Sequence, residues 1–354
     1  MALDLDFWKA RRVLVTGHTG FKGAWLSLWL QALGADVTGV ARRRPRSPSL
    51  YELGAVGAHM RELSADVRDA DAVSRALHQA RPEVVLHLAA QPVVRRSLRD
   101  PAATYDVNVM GTVNVLDAIR QGGSDVRAVV VVTSDKCYEN SGQRSRPFVE
   151  DDPLGGSDPY SSSKACAELI VSAYRRSFFH QPHSPQLASS RAGNVLGGGD
   201  WGEDRLVPDA LRAVQAGRPL KLRNPRAVRP WQHVLSPLSG YLLLAQELAQ
   251  GPDRHAARAW NFGPPAADAQ PVSWIVQRLA QLWDGQLQWQ PDDAANPPEA
   301  SHLALDSSAA EQLLGWRPAW GLGQALQLVV DWHRALQDGR DMRDVSLRQI
   351  GLVG

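Results

Sequence analysis

Two cysteines, Cys137 and Cys166, are all that the chain of 354 residues contains, so neither a disulfide framework nor a cysteine-rich zinc site can be built from it. A reducing cytoplasm is the expected compartment, and no metal site is expected. Lysine is almost as scarce: only Lys9, Lys22, Lys136, Lys164 and Lys221 occur among 39 basic residues, which marks each as a place where a compact or deprotonatable ammonium serves. No apolar run approaches the roughly 18 residues that would span a bilayer. Residues 1–6 lack the basic and apolar regions of a signal peptide, so neither membrane insertion nor export is expected. The net charge is only +2 and the arginines are scattered, which gives no footprint for a nucleic-acid partner. Repeats and low-complexity segments are also lacking. What is present is a globular composition, 44% hydrophobic and 21% charged, in a chain long enough to bury roughly three quarters of its unfolded surface.

The run 12–16 (Arg-Val-Leu-Val-Thr) leads through a glycine turn into the apolar segment 24–33, which predicts strand, turn and helix. Apolar runs at 35–41, 83–90, 126–133 and 187–195 predict further strands. They alternate with helical stretches near 70–79, 101–120 and 160–178. Alternation of this kind predicts an α/β fold, a doubly wound parallel sheet of Rossmann type covered on both faces. Beyond residue 196 glycine, tryptophan and proline recur at short intervals, so a smaller C-terminal domain is expected. The expected division is a dinucleotide-binding domain over 1–190 and a mainly substrate-binding domain over 191–354, with segments of the latter returning to the first sheet.

Three motifs carry chemistry. Gly17-His18-Thr19-Gly20-Phe21-Lys22-Gly23 joins the first strand to the first helix, where glycines let backbone approach a pyrophosphate at the positive end of the helix dipole. Its spacing puts two residues between the first glycines, where the common dinucleotide fingerprint has one. Tyr160 and Lys164 stand four apart at the start of a helix and therefore share a face. An ammonium and a nicotinamide cation nearby would favour the phenolate, which can accept a proton from a sugar hydroxyl. Between them Thr133-Ser134-Asp135-Lys136 closes a strand at the sheet edge where doubly wound folds bind ligands, and offers a hydroxyl, a carboxyl and an amine in succession. The second strand ends in Val40-Ala41-Arg42-Arg43-Arg44, without the carboxylate that would hold the ribose of NAD. Arginine there suits the 2′-phosphate of NADP.

With these motifs, and with His87-Leu88-Ala89-Ala90-Gln91-Pro92, Asp158-Pro159-Tyr160, Arg191-Ala192-Gly193-Asn194-Val195 and Arg229-Pro230-Trp231-Gln232-His233-Val234 in the same order, the chain resembles the extended short-chain dehydrogenase/reductases. Within them it resembles the nucleotide-sugar epimerase/dehydratase family. Ser134-Asp135-Lys136, where related dehydratases carry Thr-Asp-Glu, is similar to the branch that acts on CDP-glucose. The resemblance implies the removal of water from CDP-glucose in deoxysugar biosynthesis, with NAD as cofactor and NADP as a possible substitute. It implies that Tyr160, assisted by Lys164, removes the C4 hydroxyl proton while hydride leaves C4. Lys136 is then the C5 base, Asp135 the acid at the C6 hydroxyl, and Ser134 a hydrogen-bond donor to the C4 oxygen.

Lys136 acts as a base only when neutral and Asp135 as an acid only when protonated, and burial would push both that way. The cofactor residues implied are Gly17, Thr19, Gly20, Phe21, Lys22, Gly23, Arg42, Arg43, Asp66, Val67, Leu88, Ala89 and Ala90, with Tyr160 and Lys164. Gln91, Ser134, Asn194, Arg205 and Arg229 are implied for substrate. A homodimer or homotetramer is the expected assembly. Two rival readings stay open. A 4-epimerase, or a dehydratase of another nucleotide sugar, would share Tyr160 and Lys164, but an epimerase has no need of Asp135 and Lys136. A catalytically silent dinucleotide sensor would not need the full set.

Overall fold

The valine-rich runs become a seven-stranded sheet, seen in a computed structural model that describes residues 3–42, 47–123, 125–142, 144, 146–251, 254–285, 287–292 and 300–353. In chain order its strands are β1 (Arg12–Thr16), β2 (Asp36–Ala41), β3 (Arg61–Ser64), β4 (Val84–His87), β5 (Ala128–Val132), β6 (Gln186–Ala192) and β7 (Ala259–Phe262). In space they run β7-β6-β5-β4-β1-β2-β3, every neighbouring pair parallel. Val15 lies opposite Gly39 on one side and Leu86 on the other, which fixes the central register.

Five helices cover the sheet: α1 (Phe21–Ala32), α2 (Ala70–Ala80), α3 (Gly111–Gly122), α4 (Pro159–Ser177) and α5 (Leu235–Gln250). Side chains alternate along each strand. Val13, Val15, Val84, Leu86, Val130 and Val132 therefore pack into one layer with α1 and α5, and Leu14, Val85, Val129, Val131 and Leu187 into the other with α2, α3 and α4. Each such valine or leucine, once fully buried, contributes about 1.5–3 kcal/mol. A third core, around Leu211, Ile275 and Leu326, joins helices 206–215, 272–282 and 322–337 of the C-terminal half. No described helix is long and apolar enough to cross a membrane.

The elements depart from expectation at informative points. The strand expected over 83–90 stops at His87, because 88–93 turns away as the loop that meets the first glycine turn. The strand expected over 187–195 ends at Ala192, so the expected boundary after residue 190 falls inside β6. The helix expected over 101–120 contains a π turn over Asp106–Met110. There the Asn108 amide turns inward to accept from the Gln91 amide nitrogen at 2.8 Å and to donate to the Gln91 carbonyl at 3.1 Å. The chain order reverses between β1 and β4, and in folds of this type the crevice at that switch point binds ligand.

Candidate active site

A cleft of about 770 Å³ runs along the carboxyl ends of the strands from β2 to the C-terminal half, large enough for two nucleotide-sized ligands. Its floor is the turn 17–23. Gly17 has φ +76, and a Cβ there would lie 2.8 Å from the Ala89 nitrogen. A Cβ at Gly23 would lie 2.1 Å from the Gly17 carbonyl oxygen, so only glycine lets the helix start this close to the strand. The N-cap of α1 is Gly20 and no side chain caps it, which leaves the first amides of the helix to an anion. These features fit a dinucleotide pyrophosphate. His18, 2% exposed, turns beneath the turn against Gly39 and pairs with Glu62 at 2.8 Å.

Every candidate residue within the described part of the chain lines this cleft; Arg43 lies outside the described residues. Arg42 and Asp66 meet at the β2 end, 3.6 Å apart, and Asp66 also pairs with Arg68 at 2.7 Å. That neighbouring guanidinium holds the Asp66 carboxyl below its usual range, although burial opposes it. Val67, Leu88, Ala89 and Ala90 form the walls, with Thr19 and Phe21 at the turn.

Helix α4 is started by Asp158, whose side chain accepts from the amides of Tyr160 and Ser161 in a capping box, with Pro159 in the first turn. This sets Tyr160 and Lys164 one turn apart and facing the end of β5. Burial pushes the Tyr160 phenol up to about 12, against the pull of the Ser134 hydroxyl. Burial and, next to it, the Lys22 ammonium lower Lys164 to about 8. Lys164 donates to the Val132 carbonyl at 3.2 Å, and Ser134 and Arg205 are among the groups that favour the phenolate here.

Ser134 donates to Asp135 Oδ1 at 2.9 Å and accepts from the Lys136 amide at 3.2 Å. Asp135 is 2% exposed and its Oδ2 has no hydrogen-bond partner. Burial raises its pKa, against the pull of Lys136, Arg229 and Lys22. The burial expected of Asp135 and Lys136 alike is thus complete at the acid, while Lys136 is only half-buried.

Lys22 is half-buried, donates to the Tyr241 hydroxyl at 3.3 Å and is lowered by desolvation to about 8. On the substrate side Arg205 holds Asp200 at 2.9 Å, and Arg229 is 5% exposed with one nitrogen on the Val228 carbonyl at 2.8 Å. Asn194 lies between them in the wall. Gln91 is less available than the sequence suggests. Its amide donates to Val93 O and Thr104 Oγ1 and accepts from the Val93 amide, so it serves first to hold its own loop.

Sequence reasoning missed Arg95 and Arg223, which reach Asp204 at 3.4 Å and 3.6 Å and rim the same cleft. No local signal marks them, because three separate segments bring them together. It also missed Glu168, although a residue four beyond Lys164 is legible as the next on that helix face.

A family model described as GDP-mannose 4,6 dehydratase matches residues 14–329. The chain is 47% identical to a CDP-glucose 4,6-dehydratase from Salmonella typhimurium over 352 residues, covering 98% of this chain and 97% of the relative. Among solved structures, a UDP-glucose 4-epimerase from Thermus thermophilus in complex with NAD superposes with a TM-score of 0.78 at 26% identity, covering 91% of this chain and 99% of the other. A dTDP-glucose 4,6-dehydratase double mutant from Streptomyces venezuelae, also with NAD bound, gives 0.77 at 24% identity, covering 94% and 99%.

Proposed function

Because the chain belongs to the nucleotide-sugar epimerase/dehydratase family of extended short-chain dehydrogenase/reductases, we propose that it is a hydro-lyase that converts CDP-glucose to CDP-4-keto-6-deoxyglucose and water. The observation that carries this reading is that Ser134, which donates to Asp135 and favours the Tyr160 phenolate, lines one cleft with both, so groups suited to oxidising C4 and to eliminating water from C5 and C6 meet at one site. A 4-epimerase needs no such acid and base.

NAD is the cofactor proposed, held over the turn 17–23 and along Arg42, Asp66, Val67, Leu88, Ala89 and Ala90; structural relatives carry NAD. When bound it supplies a hydride acceptor for C4 and the same hydride for C6. Tyr160 takes the C4 hydroxyl proton, and Ser134 holds the C4 oxygen as the ketone forms. The ketone acidifies the C5 proton, which Lys136 removes, while Asp135 protonates the departing C6 oxygen. Burial shifts the Asp135 carboxyl toward the protonated form that this step requires. Arg205, Arg229 and Asn194 hold the pyrophosphate, to which a planar guanidinium presents two parallel donors. Assembly as a homodimer or homotetramer belongs to the same proposal. Exposed Leu98, Met110 and Leu169, on the neighbouring segments 94–110 and α4, support it.

The test is incubation with NAD and, in turn, CDP-, dTDP-, UDP- and GDP-glucose, followed by mass analysis. CDP-glucose should lose one water. Loss of water from another nucleotide sugar with CDP-glucose untouched would overturn the assignment.

A further inference from the structure

Behind the catalytic segment lies a buried ion pair that the chemistry above does not use. Glu168 sits on α4 one turn beyond Lys164 and two beyond Tyr160, on the same face. Arg191 reaches it from β6, Nη2 to Oε2 at 2.7 Å, with both side chains at most 4% exposed. Neither lines the cleft. The carboxylate collects two more donors, the Ser189 hydroxyl at 2.7 Å and the Thr133 hydroxyl in a short bond. The other terminal nitrogen of Arg191 donates at 2.8 Å to the Tyr138 hydroxyl and at 2.8 Å to the Glu150 carbonyl. The Tyr138 hydroxyl in turn donates to Asn261 Oδ1 at 2.7 Å, and its ring stacks on Phe148.

Thr133 and Tyr138 bracket the segment that carries Ser134, Asp135 and Lys136. Both ends of that segment are therefore tied, through one ion pair, to the helix that carries Tyr160 and Lys164. Desolvation makes a buried ion pair a poor device for stability alone, since apolar side chains of the same volume often serve as well. What an arginine fork and a carboxylate offer instead is direction, because each bond has a fixed donor and acceptor.

We propose that Glu168 and Arg191 are positioning residues that set the elimination groups, Asp135 and Lys136, against the oxidation groups, Tyr160 and Lys164. The proposal rests on the dehydratase reading. It extends it by saying how two chemistries on two different elements are kept in register at the same sugar.

Removing either member of the pair would strand a buried charge and risk unfolding, so the test acts on its two ends. Thr133→Val keeps shape and removes the donor to Glu168, Thr133→Ser keeps the donor, and Tyr138→Phe keeps the stacked ring and removes the hydroxyl. Each is run beside wild type with CDP-glucose and NAD in deuterated water, and kcat, KM and the ratio of C5 deuterium exchange to water loss are measured. A displacement near 1 Å at a reacting group costs on the order of a hundredfold. Thr133→Val and Tyr138→Phe should therefore lose about 10- to 100-fold in kcat with KM within about twofold, and their exchange ratio should depart from that of wild type, because C5 deprotonation by Lys136 and C6 protonation by Asp135 each depend on where that segment is held. Thr133→Ser should stay near wild type. Variants that match wild type, or that lose kcat only in proportion to the folded fraction with the ratio unchanged, overturn the positioning role alone. A wild type that takes no water from CDP-glucose overturns the dehydratase reading, and this inference with it.

Discussion

Mild acid should destabilise the protein through three imidazoles that it buries outside any ion pair of the described residues. Burial pushes His87 down to about 3, with the Lys164 ammonium adding to it, and pushes His233 to about 3. His333 falls to about 4 by burial, against the pull of Asp200. An unfolded chain protonates each near pH 6.5, whereas the folded chain resists until much lower pH. The unfolded state thus binds more protons in between, and the stability present above pH 6.5 is lost as the pH falls toward the folded values. At pH 5.5 the cost is about 1.4 kcal/mol for each and about 4 kcal/mol for all three. That is a large part of the roughly 5–15 kcal/mol a domain has. Asp135 and Glu150, raised by burial, work in the opposite sense, so the histidine contribution must be read by difference. His233 stands edge-on to Trp25 and Trp320, and His333 to Trp201 and Trp332, with Nε2 of both lacking a hydrogen-bond partner. A phenylalanine ring therefore keeps the packing mode at both. Urea unfolding at pH 7.5 and pH 5.5, followed by tryptophan fluorescence, should show the double variant His233→Phe/His333→Phe losing about 3 kcal/mol less than wild type on acidification. Equal losses in the two proteins would refute the reasoning.

Asp135→Asn should reduce water loss by about a hundredfold to ten-thousandfold while C5 exchange persists, whereas Lys136→Met should suppress both, as followed by deuterium incorporation. An undiminished Lys136→Met would assign the base elsewhere. Gly23→Ala sets a Cβ 2.1 Å from the Gly17 oxygen, where ordinary contact begins at 3.4 Å, so calorimetric titration should find NAD binding lost. Retained affinity would mean that the turn does not cradle the cofactor. Arg42, half-exposed and only 3.6 Å from Asp66, is able to swing to a 2′-phosphate, so NADP should compete measurably with NAD. In the same titration Arg42→Ala should weaken NADP and spare NAD. Undetectable NADP binding to wild type would show Arg42 to be committed to Asp66.

The sheet was legible in the sequence where strands are buried on both faces, because runs such as Ala128–Val132 have no polar residue to hide the signal. The edge strand β3, Arg-Glu-Leu-Ser, is mostly exposed and gave none. Strand β7 owes its place to pairing with β6, about seventy residues earlier in the chain, which local pattern does not record. Helix α5 escaped notice because it is apolar nearly all round, with Pro237 in its first turn and Gly240 packed on Phe262, and so shows no amphipathic period. In the site, Tyr160 and Lys164 were readable from helical spacing, and Ser134 to Lys136 from their place at a strand end. The charge environment was not. That Ser134 and Arg205 act on the phenol, and that Lys22 acts on Lys164 and is acted on by Asp135, depends on side chains from elements far apart in sequence.

The central claim is an internal redox cycle that ends in loss of water from CDP-glucose. It is tested most directly by one reaction in deuterated water with NAD far below the substrate concentration, followed by mass and deuterium analysis of the sugar. The account predicts complete conversion to a 4-keto-6-deoxy product, one solvent deuterium at C5 and no net reduced cofactor. Reduced cofactor accumulating in step with product, or an unlabelled C4 epimer in place of the dehydrated sugar, would contradict it.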